Sequence, residues 1–118
     1  MPERRQHLRL RVTAPIRVLC LDTRSTSFVL FDLGSGGFSM RTPTEVPVGM
    51  VMRFRFSLPD ESWAAVLSGQ SVYCRPDPSV ANGRVFLSGF KFLHPETPTV
   101  MAGINALIDH ATVAISFS

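Results

Sequence analysis

Short runs of β-forming residues, each closed by turn residues, follow one another from Pro15 to Leu93. A chain of brief strands with turn signals between them points to a small closed barrel or sandwich of antiparallel strands. Residues 16–22 (IRVLCLD) form a strand candidate opened by Pro15, a residue suited to a strand start. Residues 27–33 (SFVLFDL) are rich in β formers and stop at Gly34-Ser35-Gly36-Gly37, a strong turn signal. Residues 38–41 resume briefly as strand, and residues 42–49, with two prolines, read as a loop. Residues 51–58 alternate: Met52, Phe54, Phe56 and Leu58 share one face, and Arg53, Arg55 and Ser57 share the other. After the break at Pro59-Asp60, residues 63–67 and 71–75 read as one long strand with a kink or bulge at Gly69. A loop ending in Asn82-Gly83, a dipeptide favoured in hairpin turns, leads to the last strand, residues 84–93.

After His94-Pro95 the hydrophobic period changes. Thr97 and Pro98 fit an N-cap and a first-turn proline. Val100, Met101, Ile104, Leu107, Ile108 and Ala111 recur at helical spacing and form an apolar stripe that has to dock on the strands. The tail, residues 112–118 (TVAISFS), fits either a frayed end or a further strand. At 118 residues and 45% hydrophobic, the chain suits one domain with a real core, and the composition argues against a disordered chain. It contains no apolar run near the ~20 residues that span a bilayer. Its first residues, MPERRQHLRLR, lack the apolar stretch of a signal peptide. The expectation is a cytoplasmic protein without membrane insertion.

Charge separates the chain into two parts. Net charge is +3, yet six arginines (Arg4, Arg5, Arg9, Arg11, Arg17 and Arg24) stand in the first 24 residues against only Glu3 and Asp22. The remaining residues hold six cations and seven acids. Every cation but Lys91 is an arginine. A guanidinium presents a planar fork of donors that pairs bidentately with phosphate or guanine and stacks on bases. The bland reading of the cluster is a solvated basic arm.

Enzyme signatures are missing. His7, His94 and His110 stand apart, with no cysteine or carboxylate at metal spacing. Cys20 and Cys74 form neither a disulfide framework nor a CxxC site and read as two buried thiols. The glycines of LGSGGF run into strand residues rather than a helix, so they are not a nucleotide-triphosphate loop. Their plain reading is a hairpin turn in which glycine reaches positive φ. A functional reading also exists: glycine N–H groups can converge on an anion, and the carboxylate of Asp32 can accept from a guanine edge. Arginine donors on one side and an acid on the other suit a ligand that is both anionic and guanine-bearing. Other residues have ordinary readings: Arg53 and Arg55 as a solvated face rather than a partner stripe; Met40, Met50, Met52 and Met101 as core or lid filler. Trp63 and Tyr73 could stack on a base, with barrel core the default.

Arg5-x-x-x-Arg9 ahead of the first strand and Asp32-x-Gly34-x-x-Gly37 after the second resemble the paired RxxxR and [DN]xSxxG signatures of PilZ domains. Gly89-Phe90-Lys91-Phe92 resembles the closing G-x-x-F strand of the same family. The resemblance runs from about Glu3 to His94. It implies an all-β fold, a six-stranded antiparallel PilZ-type β-barrel with a C-terminal α-helix. Residues 1–12 would form a flexible arginine-rich arm, and residues 13–118 the barrel and helix. The implied ligand is the bacterial second messenger cyclic di-GMP, bound without catalysis. Arg5 and Arg9 would clamp guanines and phosphates. Arg4 matches the extra arginine of members that take up two stacked ligands. Asp32 would contact a guanine, Gly36 and Gly37 would permit close approach of the backbone to the ligand, and Gly34 and Ser35 would complete the ligand-binding turn. Binding would order the arm, and the new surface would be read by a protein effector of motility, pilus or exopolysaccharide machinery.

The sequence departs from the family pattern at Gly34, which stands where the motif has serine. A lost hydroxyl-to-phosphate hydrogen bond costs on the order of 1–3 kcal/mol, or roughly 5- to 150-fold in affinity. This departure supports an alternative, a PilZ-like interaction module with weak or no cyclic di-GMP binding. A second alternative, a small-barrel nucleic-acid binder, is disfavoured because residues 25–118 carry a slight negative balance and show no basic-aromatic stripe.

Overall fold

The computed structural model describes residues 10–11, 16–22, 27–80 and 85–112. In chain order these form β1 (Leu10–Arg11), β2 (Arg17–Cys20), β3 (Ser27–Leu33), β4 (Gly37–Thr42), β5 (Val51–Ser57), β6 (Ala64–Pro76), β7 (Phe86–Phe92) and α1 (Pro98–Thr112). Strand β2 pairs with β5, β5 with β6, β6 with β7, β7 with β4, β4 with β3, and β3 again with β2. All these pairings are antiparallel, so six strands close into the barrel that the sequence implies. Among the described residues, closure leaves no long unpaired edge to be protected. The two residues of β1 add to β3 beyond β2, with Leu10 opposite Leu33. The expected Asn82-Gly83 turn and the tail beyond Thr112 lie outside the described residues.

Alternation fills the interior. Met52, Phe54 and Phe56 of β5 point inward and are buried, as the sequence period requires. Phe38 is the hub of the core. Its ring centroid lies 5.2 Å from Phe54, 5.1 Å from Phe56, 5.2 Å from Phe90 and 5.3 Å from Phe92. The contacts with Phe54 and Phe56 are edge-to-face, the arrangement the ring quadrupole favours. Gly69 makes room for this cluster, since a Cβ there would lie 3.3 Å from Phe38, Phe54 and Phe90. That is its structural task, and the expected irregularity at Gly69 is not found. The register of β5 and β6 runs unbroken through it, and β6 slips on β7 between Ser71 and Tyr73, where Val72 is the extra residue.

Helix α1 begins as its sequence suggests. The Met101 N–H donates to the Thr97 carbonyl at 2.8 Å, the first intrahelical bond, which makes Thr97 the N-cap and Pro98 the first helical residue. Ile104, Leu107 and Ala111 are buried, while Val100 and Ile108 pack at the margin. Gly103 lets the helix approach β6 closely, because a Cβ there would stand 3.1 Å from Leu67 Cδ2. Met101 is exposed, so the buried stripe is narrower than the sequence period suggested. Met50, one residue before β5, is exposed as well; Met40 and Met52 are core. Trp63 lies at the margin of the core, its ring 4.6 Å from that of His110 near the helix end.

Candidate functional site

The β3–β4 hairpin carries the acid-glycine turn. The Gly34 N–H donates to the Gly37 carbonyl at 2.9 Å and closes the turn, and the Phe92 N–H donates to the Gly36 carbonyl at 3.0 Å and ties it to β7. Gly37 does not have a positive φ. It is glycine because a Cβ there would fall 2.2 Å from the Phe90 carbonyl oxygen across the β4–β7 seam. Among the described glycines the positive φ falls instead on Gly49, at 94°, in the β4–β5 loop. Gly34 and Gly37 are buried, Gly36 is half-buried and Ser35 is exposed.

A bulge aims Asp32. Leu30 pairs with Met40, Asp32 with Ser39 and Leu33 with Phe38, so Phe31 is an extra residue on β3. Strict alternation from the buried Leu30 would turn Asp32 into the apolar interior. The bulge puts Phe31 and Asp32 together on the outer face, while Leu33 returns to the core. There the Ser39 hydroxyl donates to Asp32 Oδ1 at 2.7 Å.

The second bulge, at Val72, does the same for Tyr73. Ser71 opposite Phe90 is buried, and Tyr73 opposite Gly89 turns outward. The Tyr73 ring lies over Gly89, where a Cβ would sit only 2.1 Å from ring carbon Cε2. Tyr73 is therefore a half-buried aromatic face on the outside of the barrel, not the core residue that was the default for it. The Arg75 guanidinium lies 5.3 Å from its ring centroid.

These residues form one row across four strands. Asp32, Ser39, Gly89 and Tyr73 are successive Cα partners on β3, β4, β7 and β6, and Arg11 of β1 stands opposite Asp32 at the row's end. At about 4.8 Å per strand, Asp32 and Tyr73 are roughly 14 Å apart. Arg4, Arg5 and Arg9 lie outside the described residues, but the strand that follows them begins at Leu10, beside the turn. Sequence reasoning passed over Ser39 as a site residue and left Tyr73 to the core. Counting outward from the turn, with Leu33 opposite Phe38, would have put Ser39 opposite Asp32; no comparable signal locates the Val72 bulge.

The Phe31 bulge is held from outside. The Arg41 guanidinium sits 4.7 Å from the Phe31 ring centroid, and its Nε donates to Asp77 Oδ2 at 2.6 Å. Asp77 also accepts from the Ser79 N–H at 2.9 Å and the Ser79 hydroxyl at 2.7 Å. These two donors and then Arg41 hold its carboxyl down at about 2, so the pair stays charged at any ordinary pH. Elsewhere on the surface, Arg53 pairs with Asp22 at 3.0 Å and Arg55 with Glu61 at 2.7 Å, as the solvated-face reading expects. Each arginine holds the carboxyl of its partner below the usual range, chiefly by side-chain hydrogen bonding. Cys20 is buried, its Sγ 3.6 Å from Met52 Sδ, and Cys74 is half-buried, accepting from the Val46 N–H and the Ser88 hydroxyl. Among the described residues no three His, Cys, Asp or Glu side chains gather as a metal site, and no helix is long and apolar enough to cross a membrane.

Six antiparallel strands in a closed ring, a helix docked on β6 and an acid-glycine turn define a PilZ-type barrel. The PilZ domain family model matches residues 3–110, and the chain belongs to that family. PilZ domains are non-catalytic effector domains for cyclic di-GMP. Solved structures agree in fold. The PilZ domain of YcgR from Escherichia coli, with c-di-GMP, is 18% identical, with a TM-score of 0.74 over 94% of this chain and 93% of that one. YcgR from the same organism in complex with c-di-GMP is 19% identical, with a TM-score of 0.70 over 94% of this chain and 47% of that one. The Bacillus subtilis inhibitor of motility MotI/DgrA is 14% identical, with a TM-score of 0.67 over 96% of this chain and 54% of that one. This chain thus spans about half the length of the last two. In sequence, no curated protein matches it.

Proposed function

We propose that this domain is a cyclic di-GMP receptor that signals to a protein effector. The observation that carries the reading is the pairing of Arg11 with Asp32. Two residues of chain reach at most about 7 Å, and so short a tether supports a role for Arg9 beside the carboxylate suited to a guanine edge. Arg5 lies one short segment further back. Guanidinium forks from this segment would take the phosphates and a guanine face, and Asp32 would accept from guanine N1–H and N2–H₂. Tyr73, at the far end of the row, offers a face for the second base. Ligand binding would close residues 1–9 over the row and create the surface an effector reads. The YcgR structures, described as containing c-di-GMP, support this ligand. The B. subtilis neighbour is named an inhibitor of motility, and a protein of the motility machinery is the effector class this reading favours. A ligand that is an intracellular messenger carries a cytoplasmic address with it.

A second reading, an interaction module with weak or no nucleotide binding, draws on Gly34. That residue has no hydroxyl, and its N–H is already used by Gly37. Titration calorimetry with cyclic di-GMP decides between the two. The receptor reading predicts saturable binding, at two ligands per chain if Arg4 acts as the resemblance implies. Flat heats at roughly 50 µM ligand would overturn it.

A further inference from the structure

We infer that Ser39 is a positioning residue that sets the preference of this site for guanine over adenine. The inference rests on the receptor reading and adds to it a residue outside both motifs. Ser39 belongs to the outer row yet is fully buried, lying mid-sheet between its partners Asp32 on β3 and Gly89 on β7. A buried hydroxyl needs a partner, and this one donates to Asp32 Oδ1 at 2.7 Å. Its position is set by two strands of a closed sheet, so the hydrogen bond is a fixed stop for one oxygen of the carboxylate.

The direction of that carboxylate matters because it is the acceptor in the proposed contact. Guanine presents two donors, N1–H and the N2 amino group, to a pair of carboxylate oxygens. Adenine presents a ring-nitrogen acceptor beside one amino donor, and the acceptor repels the acid. A site built to receive donors discriminates strongly against an analogue that lacks one, provided the acceptor is held in place. An Asp32 without this stop would lose affinity for guanine and with it part of the preference over adenine. A carboxylate has about four lone-pair sites, so accepting from Ser39 is compatible with accepting from a base.

The test uses the full chain and two probes, cyclic di-GMP and cyclic di-AMP, with Ser39→Ala, Asp32→Ala and the double variant. Ser39→Ala is expected to weaken cyclic di-GMP binding by about 10-fold, from the lost restraint on the carboxylate, and to leave cyclic di-AMP binding unchanged. On the Asp32→Ala background the same substitution is expected to have no further effect. Ser39→Cys, of similar size with a weak donor, should fall between wild type and Ser39→Ala. Equal weakening of both ligands, an undiminished effect on the Asp32→Ala background, or wild-type affinity in Ser39→Ala would each overturn the role. A wild-type chain that fails to bind cyclic di-GMP overturns the receptor reading and the Ser39 role together. A wild-type chain that binds beside an unchanged Ser39→Ala overturns the Ser39 role alone.

Discussion

Replacing Arg5 or Arg9 by alanine is expected to weaken cyclic di-GMP binding by about 100-fold or more. A hydrogen bond to a charged group contributes about 1.5–3 kcal/mol, and a bidentate guanidinium contact with a phosphate or a guanine edge makes two. Removing both bonds costs at least about 3 kcal/mol, and about 1.4 kcal/mol is tenfold. Lysine at either position keeps the charge but loses the planar fork, so it should recover only part of the affinity. Arg53→Ala is the control. Arg53 lies on the outer face of β5 in an exposed pair with Asp22, away from the Asp32 row, and its loss should leave binding unchanged. Calorimetry on the five variants reads this directly. If Arg5→Ala and Arg9→Ala bind as tightly as wild type, the arginine segment is not the clamp.

Gly37→Ala is expected to lower the melting temperature by about 10 °C or more and to reduce the folded yield. The new Cβ would fall 2.2 Å from the Phe90 carbonyl oxygen and 3.1 Å from Lys91 Cα. Both obstacles are backbone atoms of β7, and no side chain can swing aside. Relief requires β4 and β7 to separate where Gly37 pairs with Lys91 and Phe38 with Phe90. Such separation pulls Phe38, the hub of the aromatic core, away from its neighbours. Overpacking a site of this kind costs about 3 kcal/mol, and about 1 kcal/mol moves the midpoint by roughly 4 °C in a domain of this size. Thermal unfolding followed by circular dichroism measures it. A wild-type midpoint would show that the seam yields more easily than its geometry says.

Gly37 also shows how far the sequence could be read. The glycine turn was evident, but the demand on Gly37 comes from β7, some fifty residues away in sequence, and from no local turn requirement. The alternation of residues 51–58 and the change of period after Pro95 located β5 and α1, because in both cases side-chain period alone decides which face is buried. Asp32 and the glycines were recognisable as a unit because they are contiguous. Tyr73 was not, because its direction depends on a bulge. The extra residue in β6 is Val72, a good β former with nothing in its chemistry to distinguish it from the strand residues beside it. The Phe31 bulge in β3 is equally silent. Two one-residue insertions in register thus bring Asp32 and Tyr73 to one outer row, and period-two reasoning has no access to either.

Backbone amide chemical shifts recorded during a cyclic di-GMP titration test the central claim most directly, because they report where on the barrel the ligand lies. The largest changes are expected on Asp32 to Gly37, on Ser39, Gly89 and Tyr73, and on Leu10 and Arg11. Amides of β2 and of the outer face of β5, at Arg53 and Arg55, should be little affected. Changes centred on β2 and β5, or on the exposed side of α1, would contradict it and place the ligand on a different face of the same barrel.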